Sequence, residues 1–283
     1  MSSAPMARFD ESFFTGKDGL RLYWMSEQPE QPRAHVAVVH GYGDHIGRYR
    51  TTIDALAAQG YAVHGFDYRG HGRADGRRGF CATWADYLDD LAGFWERVRQ
   101  AAGGKKTFLL AHSHGGLMAV HLLGRGGLRG MSGLVLSAPY FKLAITPPAL
   151  KVVAARAVSR VLPWMPIKSE LTPEHLSRDE AVQQAARQDP LYNTVVTPRW
   201  FIESTQAQAR VMTLASEVKV PLFLLCGAED GVASVPTART FFETVGSADK
   251  VYKAYPGMRH EPLNELGKEE VHGDISNWIS AHL

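Results

Sequence analysis

Cysteine is scarce in this sequence. Two thiols, Cys81 and Cys226, are spread over 283 residues. That excludes the disulfide framework that staples small secreted domains. Cys226 ends the apolar run Pro221-Leu-Phe-Leu-Leu-Cys226 and reads as a buried thiol, while Cys81 lies near a loop and reads as free. Both suit a reducing compartment, so the expected location is cytoplasmic. A charge excess is also missing. The net charge is +2, and no basic stripe or cluster argues for a nucleic-acid partner. No stretch approaches the roughly 20 apolar residues that a membrane span needs. The start, Met1 to Glu11, has no apolar core of the signal-peptide kind, so no secretory signal is expected. There is no internal repeat and no low-complexity tract.

What is present is enough apolar residue for an ample core. Hydrophobic residues make up 45% and charged residues 21%, and a chain of this length suits a single α/β domain. Short apolar runs at Leu20–Met25, Val36–Val39, Tyr61–Phe66, Thr107–Ala111, Leu134–Ser137, Leu222–Cys226 and Val251–Ala254 read as strands. Between them lie helical patterns at Thr51–Gln59, Thr83–Ala101, Gly115–Leu123, Val235–Thr244 and Lys268–His282. This alternation predicts an α/β fold: a mostly parallel sheet with helices on both faces.

One segment breaks the rhythm. Between Ala138 and Val220 the patterns are mostly helical and prolines are frequent, which predicts a helical insertion. Its first helix, near Ala149–Leu162, puts Leu150, Val153, Ala154, Ala157, Val158 and Val161 on one side, with Arg156 and Arg160 on the other. Two arrangements are open. The helix packs on its own domain, the commoner case, or it forms a lid or a membrane-facing surface over the active site. The loop Asp67–Gly79 carries Arg69, Arg73, Arg77 and Arg78, read as a solvated loop or as a contact for a lipid phosphate.

The sharpest chemical signal is Leu109-Leu-Ala-His-Ser113-His-Gly-Gly-Leu117. A serine follows an apolar strand directly, opens a helix, and has small residues two positions away on either side. This is the pattern of a nucleophile elbow, normally G-x-S-x-G, with Ala111 in place of the first glycine. The turn is too tight for bulky flanks, and it leaves the hydroxyl at a helix N-terminus, where developing negative charge is favoured. A serine hydroxyl needs a base and a group that orients the base. In this architecture the chain order is serine, acid, histidine. Asp230, in the loop after the strand Leu222–Cys226, is the predicted acid, with Glu229 as the competing choice. His260 is the predicted base. It has both the order and a loop position, whereas His121, His272 and His282 fall in helix patterns and His175 in the insertion. Two backbone donors are needed for an oxyanion. His114 N–H and Tyr42 N–H, the latter in the loop His40-Gly-Tyr-Gly43, are the candidates, and losing one such donor typically costs about 2.7–4 kcal/mol. His112 and His114 lack a Cys or carboxylate cluster to complete a metal shell, so no metal is expected.

Four motifs together resemble a known family, the monoacylglycerol lipase and lysophospholipase branch of the α/β-hydrolases (serine aminopeptidase S33-type). They are His40-Gly-Tyr-Gly-Asp-His-Ile-Gly-Arg-Tyr49; Asp67-Tyr-Arg-Gly-His-Gly72 with Asp75-Gly-Arg-Arg-Gly79; the elbow Ala111–Gly115; and Gly227-Ala-Glu-Asp230 with His260. The first is the most specific, and the match spans nearly the whole chain. The resemblance implies an eight-stranded sheet with a cap inserted after the sixth strand. The core would be 1–139 and 213–283, and the cap 140–212. It implies a triad of Ser113, Asp230 and His260, an oxyanion hole of the Tyr42 and His114 amides, and no cofactor. The family often has methionine after the serine, where this chain has His114.

The resulting expectation is a serine esterase that acts through an acyl-enzyme on a small lipid or ester with one acyl chain, such as a monoacylglycerol or lysophospholipid. Its cap could touch a membrane surface transiently. Alternatives are a short-chain carboxylesterase or an amide or peptide hydrolase on the same fold, and, more remotely, a non-catalytic ligand-binding protein.

Overall fold

Strands whose every residue is buried need cover on both faces, and the central strands here are of that kind. The structure, a computed structural model, describes residues 8–283. Most of the N-terminal stretch in which no signal was expected lies outside the described residues. The chain runs β1 (Arg8–Thr15), β2 (Arg21–Gln28), β3 (His35–Val39), α1 (Arg50–Ala58), β4 (Ala62–Asp67), α2 (Trp84–Ala102), β5 (Thr107–His112), α3 (His114–Gly124) and β6 (Gly133–Ser137). Next come α4 (Ala149–Val161), β7 (Ile167–Lys168), α5 (Pro173–Leu176), α6 (Glu180–Gln188), β8 (Val195–Val196) and α7 (Pro198–Val211). The last elements are β9 (Leu222–Gly227), α8 (Val235–Thr244), β10 (Lys250–Tyr255) and α9 (Lys268–Ala281).

Eight strands form one sheet in the order β1-β2-β4-β3-β5-β6-β9-β10. β1 and β2 pair antiparallel with their neighbours, and the pairs from β4 through β10 are parallel. This is the α/β-hydrolase fold expected above. Alternation along each strand sends side chains to two cores. Val36, Val38, Phe108 and Leu110 meet Ile53 and Leu56 of α1 and Ile275 and Ile279 of α9. Ala37, Val39, Leu109 and Ala111 face the other way, onto Leu91 and Phe94 of α2, Leu117 of α3 and Phe241 of α8. The α2 helix starts at a capping box between Thr83 and Asp86 and stops at Gly103, whose φ of 56° suits a residue without a side chain. Both Cys81 and Cys226 are buried and free.

Strand β1 was missed in the sequence. Its residues are exposed except for Phe14, so its apolar content is too low to mark an edge strand. The basic loop needs a correction. Arg69 is buried, not solvated or aimed at a phosphate, because Asp90 (2.6 Å) and Asp18 (2.7 Å) hold its guanidinium. Arg73, Arg77 and Arg78 are exposed, as a solvated loop would have them. The insertion between β6 and β9 contributes α4 to α7 and a two-stranded ribbon of β7 and β8. The α4 helix packs on α7 of its own domain, as in the commoner arrangement, but not through its apolar stripe. Ser159 is the residue it buries, whereas Leu150, Val153 and Val161 are 79%, 60% and 73% exposed. The turn of the helix that meets α7 carries Ser159, whose hydroxyl and carbonyl accept from Arg199.

Candidate active site

The carboxyl ends of β5 and β9 lie near one another because β6 separates them, and the loops that follow converge there, where α/β sheets bind ligands. After β5 the chain turns into α3 at Ser113, with φ 50° and ψ −114°. A side chain at such a backbone angle is strained, and surrounding structure must hold it. The Ser113 N–H donates to Ser137 O at 2.9 Å. A Cβ on Gly115 would come within 2.7 Å of His40 O and 2.8 Å of Val39 O, so the small residue two positions after the serine is needed where α3 crosses the end of β3.

The three side chains expected to work together are in hydrogen-bond contact. His260 Nε2 lies 2.8 Å from Ser113 Oγ. His260 Nδ1 lies 2.8 Å from Asp230 Oδ2. The other Asp230 oxygen accepts the N–H groups of Val232 (2.8 Å) and Ala233 (2.9 Å). Glu229, the competing acid, points into solvent. The acid and base loops are laced together: Glu229 N donates to Met258 O at 2.9 Å and Ala228 N to Tyr255 O at 2.9 Å. A Cβ on Gly227 would overlap the carbonyls of Met258 and Arg259, so the approach of the two loops depends on that glycine.

The electrostatics fit a base paired with an anion. Burial pushes the His260 imidazole down, but the charge and hydrogen bond of Asp230, aided by Glu261 and Asp44, outweigh it and hold its pKa above the ordinary 6.5. Burial works against the charge on Asp230, and His260 together with the two loop amides more than offsets it, so the carboxyl sits below its usual range.

Gly41 lies against the nucleophile. A Cβ there would be 3.1 Å from His112 Cδ2 and 3.3 Å from Ser113 Cβ. The N–H of Tyr42 has no hydrogen-bond partner among the described residues. His114 N–H belongs to the first residue of α3, where no intrahelical acceptor exists. The His112 and His114 rings go separate ways. His112 Nδ1 lies 3.3 Å from Ser137 Oγ, and burial pushes its pKa down to about 3. His114 is fully buried among Tyr42, Tyr68, Trp84, Tyr87 and Trp200, and burial holds it neutral. Among the described residues, no group of three or more His, Cys, Asp or Glu is arranged to hold a metal ion.

Sequence reasoning gave no role to several residues that frame this site, although Asp44, His45 and Arg48 stand in the first motif. Arg48 grips both oxygens of Glu261, at 3.1 and 2.9 Å, and reaches Asp44 at 3.0 Å. From the insertion, Trp200 stacks on Tyr42 with ring centroids 3.7 Å apart, and Asp189 Oδ2 meets His45 Nε2 at 2.6 Å. A buried arginine signals that a carboxylate must lie nearby, but it cannot say which one.

Comparison with known proteins shows what the whole chain is similar to. The family model described as "Serine aminopeptidase, S33" matches residues 30–267. A monoacylglycerol lipase of Mycolicibacterium smegmatis is 30% identical over 278 residues, covering 96% of this chain and 98% of the relative. The phospholipase YtpA of Bacillus subtilis is 29% identical over 244 residues, 86% of this chain and 93% of the relative. Among solved structures, the monoacylglycerol lipase of Paleococcus ferrophilus superposes with a TM-score of 0.80 at 26% identity, covering 98% of this chain and 99% of that one.

Proposed function

The chain belongs to the serine aminopeptidase S33 family of α/β-hydrolases, and on that premise we propose that it hydrolyses a single-acyl-chain lipid ester, a monoacylglycerol or a lysophospholipid, through Ser113, His260 and Asp230. It is an ester hydrolase. The observation that carries the residue assignment is the continuous row from Ser113 Oγ through both nitrogens of His260 to Asp230.

Ser113 Oγ attacks the acyl carbon while its proton passes to His260 Nε2. The amides of Tyr42 and His114 take the oxyanion that forms on the carbonyl oxygen. The tetrahedral species collapses, the bond to the alcohol breaks, and the alcohol oxygen leaves with the proton from His260. Water then gives a proton to His260 and attacks the acyl-enzyme. Its collapse frees the carboxylic acid and returns the proton to Ser113. Asp230 holds His260 in the tautomer with Nδ1–H and stabilises its cation. No metal enters this sequence of steps.

Residues 140–212 act as a cap in this reading. Its α4 carries an outward stripe of Leu150, Val153, Ala154, Ala157 and Val161, extended by exposed Leu162, Trp164 and Ile167 and flanked by exposed Arg156 and Arg160. Such a surface suits transient contact with a lipid layer. No described helix is long and apolar enough to cross a membrane.

The test is hydrolysis of a panel of monoacylglycerols, lysophosphatidylcholine and nitrophenyl esters, with Ser113→Ala as control. The expected result is a rate that rises with acyl length and disappears in Ser113→Ala. A rate peaking at acetyl or butyryl would replace the lipid reading with a short-chain carboxylesterase. Undiminished turnover in Ser113→Ala would remove the assigned nucleophile.

A further inference from the structure

The carbonyl of Gly41 belongs to the same peptide unit as the N–H of Tyr42. In a trans peptide these two groups point in opposite directions within one plane, so whatever holds the oxygen also aims the hydrogen. Two side chains converge on that oxygen. His40 Nδ1 lies 2.7 Å from it, and the Tyr68 hydroxyl donates to it at 2.8 Å.

A longer path arrives behind Tyr68. Trp200 Nε1 has a hydrogen and no lone pair, so at 3.2 Å it donates to His114 Nε2. That leaves the His114 hydrogen on Nδ1, which faces the Tyr68 oxygen at 3.4 Å. Tyr68 has spent its one hydrogen on Gly41, so its oxygen accepts. The chain of donors is therefore consistent from end to end: Trp200, His114, Tyr68, the Gly41 carbonyl. Every member is buried, and a neutral His114, as its apolar surroundings dictate, is the form the chain requires. Trp200 also stacks on the ring of Tyr42, whose hydroxyl lies 3.1 Å from Gly79 O and 3.0 Å from Val195 O.

We propose that Tyr68 and His40 are positioning residues for the oxyanion site, fixing the Gly41–Tyr42 peptide plane, and that Trp200 of the insertion acts on the same plane through His114. The proposal rests on the reading of Tyr42 and His114 as oxyanion donors. Two effects act together. Hydrogen bonds to the carbonyl polarise the peptide and strengthen its N–H as a donor. They also resist rotation of the plane, so the donor is aimed before charge develops, which is where such groups gain their effect. The contact through His114 depends on an imidazole in that position, since a thioether could not bridge a tryptophan N–H to a tyrosine oxygen as donor and acceptor.

The experiment compares Tyr68→Phe and Trp200→Phe with the parent on a nitrophenyl ester, together with inhibition by an octyl trifluoromethyl ketone, whose tetrahedral adduct places an oxyanion in the site. A donor lost outright costs roughly 10²–10³-fold in kcat, and a misaimed donor loses part of that. Tyr68→Phe is expected to lower kcat by about 10- to 100-fold, to leave KM within about threefold, and to raise the inhibition constant of the ketone in step with the loss in kcat. Trp200→Phe, which keeps a ring on Tyr42 but deletes the N–H, is expected to lose about three- to tenfold in both. The two losses in the double variant should fall short of their product, because they cut one chain. A folded Tyr68→Phe, judged by an unchanged near-ultraviolet circular dichroism spectrum, with kcat and ketone affinity within twofold of the parent would overturn the proposal. If Tyr68→Phe does not fold, Trp200→Phe decides alone, and an unmoved ketone affinity overturns it. A full product in the double variant would remove Trp200 from the chain. A parent that neither hydrolyses the ester nor binds the ketone would instead sink the functional reading beneath it.

Discussion

The guanidinium of Arg48 is clamped on both oxygens of Glu261, the residue that follows His260. Their side chains are 9% and 5% exposed, and Asp44, 3% exposed, shares the same cation. Removing one partner of such a group strands buried charge, which costs about 3–5 kcal/mol. Arg48→Met should therefore lower the unfolding free energy by about that amount in urea titrations, and Arg48→Lys should recover little of it, since an ammonium cannot grip two oxygens as a fork. A loss under about 1 kcal/mol in Arg48→Met would show that Glu261 finds other compensation.

The same carboxylates set the pH at which the proposed base would work. In the proposed reaction His260 must be neutral to accept the serine proton, and Asp230, Glu261 and Asp44 outweigh burial to raise its pKa above 6.5. His112, with its ring 5.1 Å away, stays neutral. Arg48 opposes the carboxylates only in part, because it stands against two of them. Activity is therefore lost as pH falls through the raised value. The profile of kcat/KM should show an acid limb with a midpoint above 6.5. Removing one negative neighbour in Glu261→Gln should move that limb to lower pH, and an unmoved limb would exclude this charge as a contributor. Asp230→Asn should cost roughly 10³–10⁴-fold in kcat by leaving the wrong tautomer facing Ser113.

What could be read beforehand followed from proximity in sequence or from chain order. The Ser113 elbow was legible because strand, turn and helix are contiguous. Asp230 and His260 were legible because each sits in a loop after a strand, in the right order. Trp200, Arg48 and Glu261 were not, because their contacts join residues 86 and 213 positions apart, and nothing local selects the partner. The β1 strand was invisible for another reason. An exposed edge strand buries little, and a search for apolar runs passes over Arg-Phe-Asp-Glu-Ser-Phe-Phe-Thr. For α4, periodicity gave the helix and its apolar stripe correctly, but not the direction the stripe faces, which depends on what the rest of the chain leaves for it to pack on.

Buried neutral histidines should make the fold sensitive to mild acid. Burial pushes His64 and His112 to about 3 and His35 to about 4, and it holds His40, His71 and His114 well below 6.5. The unfolded chain takes up protons near pH 6.5 that these folded rings refuse, so stability must fall as pH drops below that value. Two groups oppose the trend. Burial lifts Asp67 to about 6, so folding binds a proton there, and His260 is stabilised as a cation. His121 and His272 are also lowered by burial and add to the trend. The six rings alone, each about three-quarters protonated at pH 6 when unfolded, outweigh the two opposing groups, so unfolding there should take up about four protons, a slope of about 5 kcal/mol per pH unit. Urea midpoints between pH 7.5 and 6 measure it, and a flat profile would refute the assignment of these rings as neutral.

The exposed stripe on α4 gives the last prediction. Leu150, Val153 and Val161 present apolar side chains to solvent on a helix whose opposite flank carries Arg156 and Arg160, also exposed. A helix that merely covered the site would turn that stripe inward, because each fully buried aliphatic side chain is worth about 1.5–3 kcal/mol. Outward, the stripe gains that energy only when another apolar phase meets it. Even a third of it per residue, about 0.5–1 kcal/mol each for Leu150, Val153 and Val161, amounts to roughly 10- to 100-fold in partitioning. Replacing all three by serine should therefore reduce binding to vesicles of phosphatidylcholine and phosphatidylglycerol by about that factor in sedimentation assays. Turnover of nitrophenyl acetate in free solution should stay within about twofold, because none of the three residues touches Ser113, His260 or Asp230 and the ester reaches the site without a lipid surface. Equal vesicle binding by the parent and the triple variant would mean that the stripe does not meet lipid.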